Sequence, residues 1–387
     1  MHGDRSSPER PGPAWPIVRR SGVLPADEPS VQDFYAGLLG SGRPRRHAVP
    51  EPTVEEENPL KAFVLRSYGS PDALELTEID RPVPAADEVL VRVRATSVQP
   101  YDWHLMRGEP YIARLMGGGP GLRRPKIRIL GADIAGRVEA VGRDVTEFRP
   151  GDEVYGMPKQ GGFAEYACVR AGDLAPKPES LSFVQAAAVP LAACTALLGL
   201  RDDGRLQPGQ HVLVNGASGG VGTFAVQIAK AFGARVTGVC GTRNVELVRS
   251  LGADEVVDYT AENFTRHGRR YDLLLDCAGS RPASACRRAL TPQGAHVIVG
   301  GPGGRWLQPM GHIISALAAS PFTSRRTALT DVVRCTENKR NLTTLTGFIE
   351  DGRLTPVIDR IYPFAEIPAA VAYQERGRAT GKVVVTV

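Results

Sequence analysis

The stretch NGASGGVGTFAVQIAKAFGARVTGVCGTRN, residues 215–244, decides the fold of this chain. An apolar strand, HVLV (211–214), leads into it, helical spacing runs over 222–233, and a second apolar strand follows at 235–240. A glycine-rich turn between a strand and a helix is the context in which a backbone approaches a phosphate. The stretch therefore predicts a βαβ unit built around an anion-binding turn.

The glycine spacing in this turn indicates which anion it binds. Ala217, Gly219 and Gly222 occupy the three glycine positions of a G-x-G-x-x-G pattern. Gly219 would let the backbone approach a pyrophosphate, and Gly222 would let the helix pack tightly on the strand. Glycine-rich turns also occur in other α/β proteins, but the flanking strands and helix favour dinucleotide binding. We expect the following residues to line the cofactor: Gly216, Ala217, Ser218, Gly219, Gly220, Val221 and Gly222.

The end of the second strand indicates which dinucleotide is bound. NAD-binding units carry an Asp or Glu there, which accepts from the ribose 2′-hydroxyl. Here Thr242, Arg243 and Asn244 follow the strand, and no carboxylate is present in this segment. Arg243 can pair with a 2′-phosphate, with Thr242 and Asn244 adding hydrogen bonds. We expect NADP; the alternative is that Arg243 only faces solvent.

Composition excludes several other classes of protein. The 387 residues include 47 basic and 42 acidic side chains, a balance that does not predict nucleic-acid binding. No apolar run approaches the roughly 18 residues of a membrane span, and we expect no membrane partner and no secretory signal. Six scattered cysteines without a C-x-x-C pair are typical of free thiols, so we expect a cytoplasmic protein.

Residue composition and apolar periodicity change twice along the chain. Residues 1–58 are rich in proline and lack apolar periodicity, which predicts a disordered extension. Alternating apolar and polar residues from Lys61 to about residue 186 predict a mostly β domain. Strands then alternate with helices, which predicts a parallel sheet, and the final strand, GKVVVTV, would most simply rejoin the β domain.

An ordered series of segments resembles the medium-chain dehydrogenase/reductase superfamily, in its zinc-free quinone oxidoreductase (zeta-crystallin-like) branch. The segments include VRVRATSVQPYDWHLMRG, LGADIAGRVEAVG, FRPGDEVYG, GGFAEYACV, AAAVPLAACTALLGL, GASGGVG, SLGADEVVDY and GKVVVTV. The resemblance implies an α/β protein with a GroES-like, mostly β catalytic domain (59–186 and 337–387) and a Rossmann, doubly wound NADP-binding domain (187–336). It also implies an active-site cleft between the two domains and a homodimer paired through the Rossmann domain, near 327–333.

The resemblance also bears on metal binding. Zinc-dependent relatives place ligands where this chain has Gln99, Ala132 and a residue near Leu191, and neither Ala nor Leu offers a donor atom. The four clustered cysteines of the family's structural zinc lobe are missing as well. We therefore expect no metal.

Without a Lewis acid, alcohol oxidation loses its main source of charge stabilisation. Reduction of a double bond conjugated to a carbonyl is less demanding, because hydrogen-bond donors can stabilise the enolate. The resemblance implies NADPH-dependent reduction of a small molecule, a quinone or an enone. Alternatives are an alcohol dehydrogenase or enoyl-thioester reductase of the same superfamily, and a catalytically weak NADPH-binding sensor.

Three residues are candidates for catalysis. Gln99, which replaces the branch's usual Asn, could donate to the substrate carbonyl, and Tyr101 could donate a hydrogen bond or a proton. Thr195 matches a family threonine beside the nicotinamide. Each has a structural alternative, namely packing or local hydrogen bonding for the first two and back-bonding within its helix for Thr195.

Further cofactor contacts are expected at other strand ends, where an open parallel sheet binds its ligand. Tyr259 matches a family tyrosine near the 2′-phosphate, and Cys277 ends a strand that the adenosine half passes. The next strand ends in Val299, Gly300 and Gly301, close to the nicotinamide. An apolar helix at about 310–319 could cover the cleft, although such helices usually belong to the core.

Overall fold

The computed structural model describes residues 59–115, 121–301, 325–332, 335–336 and 338–387. The predicted extension over 1–58 and the predicted helix over 310–319 lie outside these residues. No α-helix within the described ranges is long and apolar enough to cross a membrane.

Fifteen strands are named here in chain order. They are β1 (Leu60–Leu65), β2 (Leu74–Ile79), β3 (Glu88–Val98), β4 (Asp133–Val141), β5 (Glu153–Gly156), β6 (Tyr166–Arg170), β7 (Leu174–Pro176), β8 (His211–Asn215), β9 (Arg235–Cys240), β10 (Glu255–Asp258), β11 (Tyr271–Asp276), β12 (Leu290–Ile298), β13 (Arg326–Leu329), β14 (Ile358–Pro363) and β15 (Lys382–Thr386).

The α-helices are α1 (Pro100–Arg107), α2 (Phe183–Ala187), α3 (Pro190–Leu198), α4 (Gly220–Ala231), α5 (Val245–Ser250), α6 (Ala283–Arg288), α7 (Asn338–Glu350) and α8 (Ile367–Glu375). A π-helical turn follows α3 at Gly199–Asp203. Short 3₁₀ turns lie at Pro71–Ala73, Tyr111–Leu115, Ala171–Asp173, Thr242–Asn244, Phe264–Arg266 and Phe364–Glu366.

One sheet is entirely parallel and has six strands in the order β10-β9-β8-β11-β12-β13. Helices α4, α5 and α6 connect successive strands, as right-handed βαβ crossovers require. The strand order reverses between β8 and β11, and a ligand of such a sheet binds at this switch point. The predicted α/β fold class with a Rossmann-type sheet is confirmed.

The second sheet is largely antiparallel and runs β14-β15-β3-β4-β5-β7, with β6 paired to β3. Its long strand β3 alternates polar and apolar residues at its centre because one face packs on the core and the other meets solvent. The C-terminal strand β15 pairs with β3, bringing Val383 opposite Val98. This is the GroES-like part of the molecule.

The two sheets meet near the carboxyl end of β8. Gly381, just before β15, donates its N–H to the Ser218 carbonyl at 2.9 Å and bridges to Gly219. A single core cluster of buried side chains, including Ala135 of β4 and Val214 of β8, continues from one sheet to the other. The glycine-rich turn therefore lies where both parts of the fold converge.

Candidate active site

The glycine-rich turn has a shape that larger side chains would prevent. Gly216 has φ +89°, a left-handed conformation that favours glycine. A Cβ at Gly222 would come within 2.0 Å of the Gly216 carbonyl oxygen, so only glycine allows α4 to begin so close to β8. Gly219 caps α4 in an extended conformation, and the first-turn N–H groups of a helix are donors for an anion.

The predicted residues of this turn do not all face the same way. Ala217 is fully buried, and its N–H donates to Val239, so its side chain packs into the core and does not line a ligand site. Ser218 lies in the turn, and its hydroxyl accepts from the Asn244 amide at 3.0 Å. Gly220 faces the C-terminal strand, since a Cβ there would lie 3.3 Å from Cδ of Lys382.

Strand ends gather around this turn as the sequence predicts. Asn215 pairs in register with Val239 and with Asp276, so the segments after β8, β9 and β11 share one edge. Asp276 fixes this edge by accepting from Asn215 Nδ2 at 2.7 Å and from the Gly279 N–H at 2.8 Å. The segments that share the edge carry Thr242, Arg243 and Asn244 after β9, Cys277 after β11, and Val299, Gly300 and Gly301 after β12.

Two of the predicted phosphate contacts are engaged elsewhere. Thr242 Oγ1 donates to Asp258 Oδ2 at 2.6 Å. The side-chain amide of Asn244 donates to Ser218 Oγ and accepts from Thr380 Oγ1. In this arrangement their polar atoms stabilise the loop, and their contribution to a 2′-phosphate stays a prediction. Tyr259 is 58% exposed, and a Cβ at Gly241 would lie 3.2 Å from its hydroxyl.

Sequence reasoning missed the carboxylate in this neighbourhood. Asp258 ends β10 opposite Cys240 and accepts from Thr242 Oγ1, from the Thr260 N–H at 2.9 Å and from Thr260 Oγ1 at 2.7 Å. The hydrogen bond from Thr242 contributes most to holding the pKa of Asp258 below its ordinary value. Strand pairing, and not local sequence, brings this group beside the loop.

Sequence reasoning also missed most of the basic groups that lie around Arg243. Arg243 lines a pocket of about 540 Å³ together with Arg360, Arg376, Arg378 and Tyr373. Arg243 Nη2 donates to the Arg378 carbonyl at 2.6 Å, and the Arg360 guanidinium lies 4.3 Å from the centre of the Tyr373 ring. None of the four arginines forms a salt bridge with a carboxylate in the part of the chain that the structure describes. Their charges are therefore available to an anionic ligand.

A second, constricted cavity of about 10 Å³ is lined by residues that include members of both α1 and α3. Its walls are Tyr101, Ala132, Met157, Lys159, Leu191, Val332 and Asn338. Burial, followed by the nearby carboxylates of Asp102 and Asp331, raises the pKa of Tyr101, which keeps its hydroxyl protonated as a donor. Tyr101 thus lines a cavity, and its role as a donor to the substrate stays a prediction.

Gln99 does not have a free amide. Its Nε2 donates to Asp133 Oδ2 and, at 3.1 Å, to Ser97 Oγ, and the residue is 3% exposed. Its backbone N–H donates to Asp102 Oδ2 at 2.7 Å in the capping box that begins α1. Both of its amide hydrogens are used in this arrangement, and a donation from Gln99 to the substrate stays a prediction.

Thr195 makes a hydrogen bond within its own helix, which is the structural alternative to a role beside the nicotinamide. Its Oγ1 donates to the Leu191 carbonyl at 2.6 Å, one turn back in α3, and the residue is buried. The hydroxyl oxygen keeps its lone pairs but not its proton for another partner. Cys277 likewise behaves as a packing residue, since burial raises the pKa of its thiol.

Two of the positions that bind zinc in zinc-dependent relatives line the cavity without metal-binding groups. Ala132 and Leu191 line it, and neither side chain has a donor atom. Within the described ranges, three potential ligands come together at Asp276, Cys286 and His296. That group is in the core of the parallel sheet, and burial raises the pKa of the Cys286 thiol to about 12.

Two family models match the chain. Residues 85–179 match the alcohol dehydrogenase GroES-like domain, and residues 251–385 match the zinc-binding dehydrogenase family. The second match covers β10 to β15 and thus part of each sheet.

Individual relatives agree with this assignment. The chain is 33% identical over 343 residues to a chloroplast envelope quinone oxidoreductase homolog of Arabidopsis thaliana, covering 84% of this chain and 98% of that protein. It is 35% identical over 342 residues to the chloroplastic NADPH-dependent alkenal/one oxidoreductase of the same plant, with coverage of 84% and 79%.

A solved structure has the same fold. The quinone oxidoreductase from Coxiella burnetii matches with a TM-score of 0.72 and 27% identity, over 85% of this chain and 99% of that one. The chain belongs to the medium-chain dehydrogenase/reductase superfamily, in its quinone oxidoreductase-like branch, and is an oxidoreductase that uses a nicotinamide cofactor.

Proposed function

We propose that the protein is a zinc-independent, NADPH-dependent reductase of quinones or α,β-unsaturated carbonyl compounds. The observation that carries the choice of cofactor is the pocket of four arginines at the adenosine end. A 2′-phosphate carries up to two negative charges and three acceptor oxygens, which guanidinium groups bind with charge-assisted hydrogen bonds. The Arabidopsis alkenal/one oxidoreductase, whose name specifies NADPH, is a relative consistent with this choice.

Asp258 is the group that argues for NADH, because a carboxylate near the ribose is typical of NAD sites. Its oxygens already accept three hydrogen bonds from Thr242 and Thr260. The four arginines of the pocket carry four positive charges, against the single negative charge of Asp258. The charge balance at this end therefore favours a phosphorylated ribose.

The rest of the site fits a dinucleotide. Gly216, Gly219 and Gly222 leave the turn free of side chains that would block a pyrophosphate, and the start of α4 supplies N–H donors. When bound, NADPH supplies the hydride. The protein's own part is to hold the two substrates together and to stabilise negative charge on the substrate carbonyl.

Tyr101 is the donor that we assign to that charge. Hydride addition at the β-carbon of an enone, or at a quinone carbonyl, leaves negative charge on oxygen, which a buried hydroxyl can stabilise and then protonate. Its raised pKa means that the hydroxyl is not lost near neutral pH. No metal ligand is needed for this chemistry, and Ala132 and Leu191 offer none at the cavity.

The test is a parallel turnover assay with purified protein and NADPH. Phenanthrenequinone, an enone, an enoyl-CoA and a ketone are compared by the loss of NADPH absorbance. We expect turnover with the quinone or the enone, and turnover that is insensitive to a chelator. Turnover with the ketone alone would indicate an alcohol dehydrogenase, and tight NADPH binding without any turnover would indicate a sensor.

We also propose a homodimer that pairs through β13, one of the two edge strands of the parallel sheet in the described residues. β13 pairs with β12 on one side, and Leu329 is 39% exposed. An edge strand with open backbone groups is a template for a second strand. Light scattering after size exclusion should give twice the chain mass of 41.5 kDa, and a charged substitution, Leu329→Lys, should shift it toward the monomer.

A further inference from the structure

Asp133 is a fully buried carboxylate whose four contacting residues come from three different segments of the chain. Oδ1 accepts from the Leu191 N–H at 2.8 Å. Oδ2 accepts from Ser97 Oγ at 2.6 Å and from Gln99 Nε2, and Lys382 Nζ lies 3.5 Å away. Asp133 is 0% exposed and Lys382 is 2% exposed. Burying this pair costs desolvation free energy that a pair of apolar residues would not cost, so stability alone does not account for it.

Two of these contacts hold the first turns of helices that line the cavity. Leu191 is the second residue of α3 and itself lines the cavity. Gln99 caps α1, whose second residue, Tyr101, also lines the cavity. One carboxylate therefore contacts the starts of both helices.

The third contact joins this group to the cofactor turn. The Lys382 stem lies against Gly220, where a Cβ would meet its Cδ at 3.3 Å, and the preceding Gly381 donates to the Ser218 carbonyl. Burial lowers the pKa of Lys382, while the charge of Asp133 opposes that shift. A series of contacts thus connects the cofactor turn, through Lys382 and Asp133, to the starts of the two helices.

We propose that Asp133, paired with Lys382, is a positioning residue that holds the first turns of α1 and α3 at fixed distances from the cofactor turn. Its role in turnover rests on the proposed function, because the donor to be positioned is Tyr101. A misplacement of about 1 Å in such a site can cost on the order of 10²-fold in rate.

The informative variant is Asp133→Asn, which preserves shape. Its carbonyl oxygen can still accept from Leu191, but its NH₂ group would face the donors Gln99 and Lys382. We expect kcat with phenanthrenequinone to fall about 10²-fold, while the NADPH Kd, measured by fluorescence titration, changes less than about threefold. Unchanged kcat would overturn the proposal.

A double-variant cycle separates positioning from plain stability. Asp133→Asn and Lys382→Met each leave an uncompensated buried group and should lower Tm by roughly 4–7 °C. The double variant should recover much of that Tm without recovering kcat. Recovery of kcat together with Tm would show that the pair is only structural.

Hydrogen exchange gives a readout that needs no substrate. Asp133→Asn should raise deuterium uptake together in the peptides that contain the first turns of α1 and α3, and leave the β11 peptide unchanged. The matched control is Lys177→Met, which separates another poorly exposed lysine from a carboxylate of the same sheet, the partly exposed Glu153 at 3.3 Å. That variant should leave both peptides at wild-type uptake.

The two proposals fail differently. If the wild type reduces neither quinone nor enone, the proposed function is wrong, and the exchange measurement still decides the role of Asp133. If uptake rises in neither peptide or in only one, the positioning role is wrong whatever the turnover.

Discussion

Arg243 lies just after β9, and its guanidinium donates to the backbone of Arg378, which is 135 residues further along the chain. This contact joins the loop after β9 to the segment that leads into β15. The two residues therefore belong to one cationic surface, although the sequence separates them widely.

At the residue scale, the first prediction concerns this cationic surface. Arg243→Gln or Arg378→Gln should each weaken NADPH binding about 10- to 100-fold, because a hydrogen bond to a charged group is worth about 1.5–3 kcal/mol. NADH binding should change less than about threefold. Calorimetric titration measures both, with Arg353→Gln, whose arginine pairs with Asp351, as the control. Equal losses for both dinucleotides would contradict the assignment of a phosphate to this pocket.

The second residue-scale prediction concerns Tyr101. Tyr101→Phe keeps the ring that lines the cavity and removes the donor. We expect kcat to fall about 10²-fold, in the range seen for loss of a single acid or oxyanion donor, while NADPH affinity stays the same. Wild-type kcat in this variant would show that another group stabilises the enolate.

The third concerns the pH dependence of stability at Asp102. Burial raises the pKa of this carboxyl from 3.8 to about 7, against the hydrogen bonds that it accepts from Gln99 and Gly131. The folded state then binds the proton more tightly than the unfolded state, so the stability that this group contributes falls as pH rises from about 4 to about 7.

Asp102→Asn does not titrate and serves as the reference. The difference in unfolding free energy between wild type and this variant should favour wild type more at pH 5 than at pH 8, measured by urea unfolding. A difference that stays constant, or that grows toward pH 8, would show that Asp102 is ionised throughout.

At the element scale, the start of α4 is the point where a single methyl group should matter most. Gly222→Ala places a Cβ about 2.0 Å from the Gly216 carbonyl oxygen, so α4 or the turn must shift. We expect a loss of stability of about 1–3 kcal/mol, as in other overpacked sites, together with weaker NADPH binding.

Gly347→Ala is the matched control, because Gly347 lies inside α7 and a Cβ there meets nothing within 4 Å. It should stabilise the protein by about 0.5–1 kcal/mol through helix propensity. Thermal unfolding compares the two. The geometry of the turn is wrong if both glycines accept alanine equally well.

Local sequence predicts elements better than it predicts contacts. The strands at 211–215 and 235–240 and the helix between them follow from apolar periodicity and glycine spacing, and the structure has them as β8, β9 and α4. No local sequence pattern marks Arg360, Arg376 and Arg378 as part of the site. Residues of β14 and of the segment before β15 come close to Arg243 only through tertiary packing. Local sequence also gives no sign of the contact between Gln99 and its buried partner, Asp133, because the two residues lie 34 positions apart.

At the scale of the whole molecule, the two sheets divide the tasks of the site. The parallel sheet provides the turn that receives the pyrophosphate in our proposal, whereas the GroES-like part provides Tyr101 and three of the four arginines. The C-terminal segment from Arg376 to Lys382 touches both. A site built in this way needs both parts of the fold, and β15 brings the C-terminal segment back to the GroES-like sheet.

The most direct test of the cofactor assignment is titration of the purified protein with NADPH and NADH under identical conditions. We predict that NADPH binds at least about tenfold more tightly, because one retained charge-assisted hydrogen bond to the 2′-phosphate is worth that much. Equal affinity, tighter binding of NADH, or binding of neither dinucleotide would contradict the account.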